Sequence, residues 1–274
     1  MDLRRIPISA LIGLVLTLGI LGMGLFAPWI APYPNGEVVG DVWAGASDKA
    51  LLGTDNLGRD LLSRLIHGAR ITLTIAGAAT LLSFTLGSTL GFFAAVSGGR
   101  IDQVLSRTVD LVMAIPSLIF ALVVLSVVPA SDLVLVLVLG LLDSTRVYRL
   151  ARAVAVDINV MDFVEAARLR GEKTAWIVFS EILPNALTPL VSEMGLRFIF
   201  AVLFLSGLSF LGLGVQPPDA DWGAMVRENK DGIVFGIPAA LIPAAAIGVL
   251  TISVNLVADW VLTRTSSLKG GRGG

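Results

Sequence analysis

The chain has 274 residues, of which 55% are hydrophobic and 15% are charged, and its mean hydropathy is +0.85. An ordinary soluble domain carries about 25% charged residues, so this composition argues against a typical soluble enzyme and indicates a multi-pass membrane protein. The net charge of −1 offers no basic excess for nucleic acid, the lack of cysteine excludes disulfides and thiolate sites, and a single histidine excludes histidine-based zinc sites.

Six segments approach the roughly 20 apolar residues that a membrane-spanning helix needs. They cover residues 8–29, 71–96, 109–128, 133–150, 186–213 and 233–257. The first follows two arginines and lacks a cleavage site, which favours an uncleaved signal anchor. The fourth is the weakest, because charged residues begin at Asp143. The sequence therefore predicts an all-α membrane protein with six transmembrane helices.

The distribution of lysine and arginine predicts the orientation of these spans. With the N-terminus inside, inside segments carry 13 of these residues and outside segments carry 6, as the positive-inside rule requires. Both termini are then cytoplasmic. The chain divides into an N-terminal span with an external amphipathic segment (1–70), a core (71–260) with a cytoplasmic loop at about 151–185, and a flexible tail (261–274).

Residues 55–70 have the pattern of a short external amphipathic helix. One face is apolar, and the other is polar and expected to be hydrated, with Arg59, Asp60, Ser63, Arg64, His67 and Arg70. This helix would lie on the bilayer, or it would form a gate or a surface for a delivering partner. A later external loop, 219–231, is predicted either as a flap or as a plain connection, with Trp222 as an interfacial anchor.

The cytoplasmic loop contains two helical patterns. In residues 162–171, Phe163, Ala166, Ala167 and Leu169 can share an apolar face, and Gly171 suits a helix end. A second stretch, 175–183, is followed by Pro184-Asn185, which we expect to break it. The pattern alone is compatible with a compact knob for a partner and equally with a solvated loop.

These residues resemble the EAA loop of permease subunits of ABC importers. The match consists of Glu165-Ala166-Ala167, Gly171 and Ile182-Leu183-Pro184. Further stretches in the same order resemble the C-type permeases of dipeptide, oligopeptide and nickel importers: LGTDNLGRD at 52–60, GGRID at 98–102, AIP at 114–116 and LSFLGLGVQPP at 208–218. The resemblance covers about residues 50–260 and implies the type I ABC-importer permease fold.

The resemblance implies that the loop docks on an ATPase subunit. The residues it assigns to this coupling are Asp162, Phe163, Glu165, Ala166, Ala167, Arg168, Gly171, Leu183 and Pro184. Implied partners are a second permease subunit in a heterodimer, two ATPase subunits that hold ATP and Mg²⁺, and an external binding protein that delivers a short peptide. The expected peptide is a dipeptide. This chain itself would bind no cofactor or metal, would have no catalytic residue, and would lie in a bacterial inner membrane.

Two departures from the family pattern stand out. Leu205-Ser206 replace a common Glu-Ala before the LSFLG run, which removes a carboxylate from the fifth span. Ser180-Glu181 stand where basic residues are frequent.

Glu193 and Arg197 lie four residues apart in the fifth span and therefore share a helix face. They either line the path and meet the termini of a zwitterionic peptide, or only neutralise each other. Rival functions are a gradient-driven transporter with Glu193 and Asp110 as proton carriers, a membrane scaffold, and the same importer class with nickel or glutathione as substrate.

Overall fold

The computed structural model describes residues 7–270, which contain helices and no β-strand beyond two isolated bridges. The α-helices are α1 (Ile8–Leu25), α2 (Ala27–Ile30), α3 (Leu61–Ser97), α4 (Gly99–Ala114), α5 (Ser117–Val127), α6 (Asp132–Asn159), α7 (Asp162–Leu169), α8 (Thr174–Trp176), α9 (Leu183–Phe210), α10 (Trp222–Asn229) and α11 (Leu241–Gly270). A π-helical segment, Ile177–Ile182, joins α8 to α9, and two 3₁₀ segments, Lys230–Phe235 and Pro238–Ala240, lead from α10 to α11. The all-helical prediction is confirmed for this part of the chain.

Four helical stretches are long and apolar enough to cross a membrane: Ile8–Leu25, Leu61–Ser97, Thr174–Phe210 and Pro238–Thr263. The predicted third span is a bent pair, because α4 and α5 meet at 82° around Pro116. Proline has no backbone N–H and restricts the residue before it, which explains the bend. The predicted fourth span lies in α6, which has 28 residues but carries several charges in its middle. Length and composition thus support four spans, or five with the bent pair, and the prediction of six is not confirmed.

Two predicted helix boundaries are wrong. The amphipathic segment is not a separate helix, since α3 begins at Leu61 and continues without a break through the second predicted span to Ser97. Pro184-Asn185 does not interrupt the chain before the fifth span, because the π-helical turn runs directly into α9. In a π-helix the N–H bonds the carbonyl five residues back, and the N–H of Leu183 accordingly bonds Val178 O.

The last helix extends further along the chain than expected. It begins at Leu241, after the predicted start of the sixth span, and reaches Gly270. The predicted tail therefore includes helical backbone as far as Gly270, while residues 271–274 lie outside the described residues.

The helices α3 and α6 pack closely against each other in the core. A Cβ atom at Gly87 would lie 2.5 Å from Ser144 O and 2.7 Å from Val147 Cβ, and one at Gly91 would lie 2.7 Å from Tyr148 O. Real Cβ atoms are not found this close to other atoms, so the crossing requires glycine at both positions. Small residues at such crossings let helix backbones approach each other closely in membranes.

We expect Gly87→Ala to destabilise the protein by about 1–3 kcal/mol, because the added methyl group overpacks the crossing. Gly77→Ala is the matched control on the same helix, since no atom lies within 4 Å of a Cβ there. It should be neutral or stabilising by up to about 1 kcal/mol. Thermal unfolding of the two variants in mild detergent checks this, and equal melting temperatures would show that the crossing adapts without cost.

Different helices pack against the two ends of α3. Its 37 residues extend about 55 Å at 1.5 Å per residue. Near its N-terminus, Trp222 donates from Nε1 to Leu65 O at 2.9 Å, which holds α10. Near its C-terminus, Phe92 is buried in one cluster with Val164 and Ala167 of α7. The segment before α3 and the helix α7 therefore lie at opposite ends of a helix that is longer than the roughly 30 Å thickness of the hydrocarbon core of a bilayer.

Candidate functional site

The helix α7 is attached to the core by two small side chains. Val164 and Ala167 are fully buried against α3, α6 and the π-helical segment. Phe163 is 40% exposed and Leu169 is 83% exposed, and Ala166 is exposed as well. The four residues predicted to share an apolar face do not all lie on one side of the packed helix, because Ala167 alone among them packs inward. The other three present apolar surface outward.

Polar contacts fix α7 against the ends of α3 and α6. Arg168 donates from Nη2 to Asn159 Oδ1 at 2.7 Å and to Val96 O at 3.4 Å, and Asn159 donates from Nδ2 to Ala95 O at 3.3 Å. Arg168 was predicted as a coupling residue, and these contacts give it a role in holding α7 in place. The acidic residues Asp162 and Glu165 lie in the first turn of α7. Their negative charges interact favourably there with the positive end of the helix dipole.

Gly171 ends this helix with a left-handed backbone. Its φ is +82°, which costs a residue with a side chain about 1–2 kcal/mol. Its N–H bonds Arg168 O at 2.9 Å, and the next N–H bonds Ala167 O at 3.2 Å, so the last carbonyls of α7 are satisfied. The predicted helix end at Gly171 is confirmed.

The remaining predicted coupling residues, Leu183 and Pro184, lie at the start of α9. Leu183 is half-buried against the same cluster, and Pro184 is exposed at the start of α9. Glu181 lies 3.9 Å from Arg170. Arg170 also lies over the ring of Trp176, 5.8 Å from its centroid.

In α9, Glu193 and Arg197 form the ion pair that their spacing indicates. Arg197 donates from Nη2 and Nε to Glu193 Oε1 at 2.5 Å and 2.9 Å. Two further charges that the sequence analysis did not single out as a site join this pair. Asp143 Oδ1 of α6 lies 3.5 Å from Arg197 Nη1 and 3.5 Å from Arg146 Nη1. We call Asp143, Arg146, Glu193 and Arg197 the intramembrane charge cluster.

Two members of the intramembrane charge cluster, Asp143 and Arg146, line a cavity between α3, α5, α6 and α9, whereas Glu193 and Arg197 are not among its lining residues. The cavity has a volume of about 210 Å³. Its wall combines apolar side chains with a few polar groups: Ala79, Thr80, Ser117, Leu139, Leu142, Asp143, Arg146, Phe200, Ala201 and Phe204. The ring of Phe200 lies 5.3 Å from the guanidinium of Arg197 and 5.8 Å from that of Arg146. An aromatic face at this distance stabilises both cations.

Four of the six residues on the polar face predicted to be hydrated are instead buried, namely Arg59, Asp60, Ser63 and Arg64, while His67 is half-buried and Arg70 is exposed. Two of the buried residues belong to a group of buried charges. Asp55, Arg59 and Arg64 are buried, with Arg64 only 1% exposed, and Glu228 of α10 completes the group. Arg64 Nη1 lies 2.5 Å from Asp55 Oδ2 and 2.5 Å from Glu228 Oε2, while Arg59 lies 2.7 Å and 2.9 Å from the same two oxygens. We call these four residues the loop latch.

The loop latch holds Asp55 in its ionised form. Burial alone would raise the pKa of Asp55, but the backbone N–H groups of Arg59 and Leu57 and the guanidinium of Arg64 outweigh it and lower the pKa below its ordinary value. The latch thereby ties the segment before α3 to α10.

The start of α10 contradicts one further prediction. Trp222 is completely buried, so it packs in the core and is not an interfacial anchor. Asp221 caps the helix by accepting from the N–H groups of Gly223 and Ala224 at 3.2 Å and 3.1 Å. Its burial raises the pKa of Asp221 to about 6. The 219–231 loop is therefore a packed element, which excludes a loose connection.

Comparison with known proteins gives consistent matches over most of the chain. Residues 87–267 match the family model described as binding-protein-dependent transport system inner membrane component. The chain is 37% identical over 258 residues to the di/tripeptide transport system permease protein DppC of Pseudomonas aeruginosa, covering 92% of this chain and 85% of that protein. It is 38% identical over 259 residues to the dipeptide transport system permease protein DppC of Escherichia coli, with 92% and 86% covered. The corresponding values for the Haemophilus influenzae DppC are 33%, 258 residues, 92% and 88%.

Proposed function

Since the chain belongs to the family of binding-protein-dependent transport system inner membrane components, we propose that it is the transmembrane subunit of an ATP-driven ABC importer for dipeptides. The observation that carries this proposal is the similarity, over 92% of this chain, to permeases named for dipeptide transport. It favours the importer over a gradient-driven transporter, a scaffold, or the same importer class carrying nickel or glutathione. The chain is a multi-pass membrane protein, and we place it in a bacterial inner membrane.

We assign six crossings to α1, α3, the bent pair α4–α5, α6, the α8–α9 rod and α11. Two charges of α6 are paired with acidic residues of α4, which lowers the cost of a crossing. Arg149 Nη2 lies 2.7 Å from Asp110, in a pair that is about half exposed, and Arg152 Nη2 lies 2.5 Å from Asp102. Charged groups in membrane segments are commonly paired with one another. With both termini in the cytoplasm, α7 is cytoplasmic and the loop latch is external.

The outward face of α7 is the docking surface for an ATPase subunit. Phe163, Ala166 and Leu169 expose apolar side chains, which water does not solvate well and a groove on a partner would cover. Asp162 and Glu165 flank this face and add charge contacts. The hydrolysis of ATP with Mg²⁺ belongs to two such partner subunits, and this chain contributes no catalytic group and no cofactor or metal ligand.

Coupling follows from the way α7 is attached. Its buried face shares a cluster with α3 and α9, so a displacement of α7 by the ATPase subunits moves the long helices with it. Packed interfaces switch between discrete arrangements because cores are not continuously deformable. A second permease subunit completes the path as a heterodimer, and an external binding protein delivers the peptide. We assign Glu193 and Arg197 to this path because Arg197 pairs with Asp143, which lines the cavity.

The proposal is tested on the tagged chain, expressed in its own cells together with the other proposed importer subunits and purified in mild detergent. We expect a second permease and ATPase subunits to co-purify. Dipeptide uptake by proteoliposomes of this complex should require ATP and the binding protein, and should persist when a protonophore removes the proton gradient. Uptake that follows the proton gradient without ATP would overturn the importer and favour the gradient-driven transporter.

A further inference from the structure

We propose that Arg146 binds the carboxylate of the peptide as it passes through the membrane, with Asp143 as its counter-ion when the path is empty. This inference rests on the proposed function and adds a contact for the cargo to it. Arg146 lies in the charged second half of the predicted fourth span. It is distinct from Glu193 and Arg197, the two residues that the sequence analysis considered for the path.

The two arginines of the intramembrane charge cluster are not equally occupied. Arg197 makes two hydrogen bonds to Glu193 and has only 17% of its side chain exposed. Within the described residues, the nearest ion-pair partner of Arg146 is Asp143 at 3.5 Å, and 43% of its side chain is exposed. A carboxylate could therefore approach the guanidinium of Arg146 without first breaking a short ion pair.

Arg146 also lies at the junction of two neighbouring cavities. Besides the cavity of about 210 Å³, it lines one of about 300 Å³ beside the bend between α4 and α5. Ser117 and Leu142 are the other residues common to both walls. Each cavity is small or marginal beside the roughly 300–1,000 Å³ of a complete ligand site. This fits one wall of a path that a second subunit completes.

The electrostatics of the cluster suit a zwitterion. Its two carboxylates and two guanidinium groups balance, so the empty path carries no net charge there. A charge at the bilayer centre costs about 2.5–3.5 kcal/mol on the insertion scale. A short peptide with one charged ammonium group and one charged carboxylate adds no net charge to the path. Its carboxylate can form a forked pair with Arg146, and its ammonium group can then meet the released Asp143. The peptide would thus replace the ion pair between Arg146 and Asp143 by one pair with each of its own termini.

The test is uptake of radiolabelled alanyl-alanine by proteoliposomes that contain the complete importer, ATP and the binding protein. We expect Arg146→Gln to lower the initial rate at least about tenfold, as for the loss of a charged hydrogen-bond partner. Arg149→Gln is the matched control. It removes the same charge one turn along α6, where the arginine pairs with Asp110 and is more exposed, and uptake should stay within about twofold of the unaltered protein.

A double variant separates peptide binding from simple neutralisation. Asp143→Asn with Arg146→Gln leaves the cluster neutral through Glu193 and Arg197. If Arg146 binds the peptide, the double variant stays at least about tenfold slow although the complex assembles. Recovery of normal uptake, or failure of the double variant to assemble, would overturn the inference and leave Arg146 a structural partner of Asp143. Absence of uptake by the unaltered importer would instead overturn the proposed function.

Discussion

Replacing Asp55 with asparagine is expected to destabilise the protein by about 3–5 kcal/mol, the usual cost of breaking a buried ion pair from one side. Asp55 contacts both Arg59 and Arg64, and Arg64 is almost completely buried. Without the aspartate, Glu228 alone would face two guanidinium groups. Thermal unfolding in mild detergent measures the effect, and we expect the assembled complex to be recovered in much lower yield.

Two companion variants identify the cause of this loss. Asp48→Asn removes an exposed carboxylate from the same segment and should leave the melting temperature unchanged. Adding Arg64→Gln to Asp55→Asn removes the uncompensated charge and should restore part of the stability. If the double variant is no more stable than the single one, the charge of Arg64 is not the source of the loss.

The second large effect is expected for Phe163→Asp in α7. The side chain points outward, so the fold of this chain should be kept while the apolar docking face gains a charge. Burying an unpaired carboxylate in a protein interface is strongly unfavourable, and we expect co-purification of the ATPase subunits to fall at least about tenfold. Quantitative pull-down from mild detergent measures this.

Val234→Asp is the control for the docking face. Val234 is 86% exposed and lies between α10 and α11, close to the opposite end of the molecule. It exchanges an exposed valine for the same charge and should leave the ATPase subunits bound. Normal recovery of these subunits with Phe163→Asp would show that they bind elsewhere on the chain.

The sequence predicted the long helices well, because runs of about 20 apolar residues have few alternatives in a membrane protein. It also located α7, through the motif around Glu165 and the helix end at Gly171. The sequence predicted less well which face of each helix packs against the core. In α7 the eight residues allow more than one apolar stripe, and only the packing of Val164 against the core decides between them.

The largest errors arose where distant segments pair. The polar residues around Arg64 were assigned to water because their partner Glu228 is 164 positions away along the chain. Asp143 and Arg146 were likewise read as the end of a span, since nothing local indicates that Arg197 of another helix lies beside them. The continuation past Pro184 depends on a π-helical turn, for which the sequence has no recognisable signal.

The loop latch also sets an order of events during synthesis of the chain. Arg64 leaves the ribosome 164 residues before Glu228, which corresponds to about 8–30 s at typical elongation rates of about 5–20 residues per second. Until Glu228 arrives, Asp55 has two arginines to neutralise, and the early segment carries an excess positive charge. The latch can therefore close only after the chain has been made as far as Glu228, so its closure reports that synthesis has passed α10.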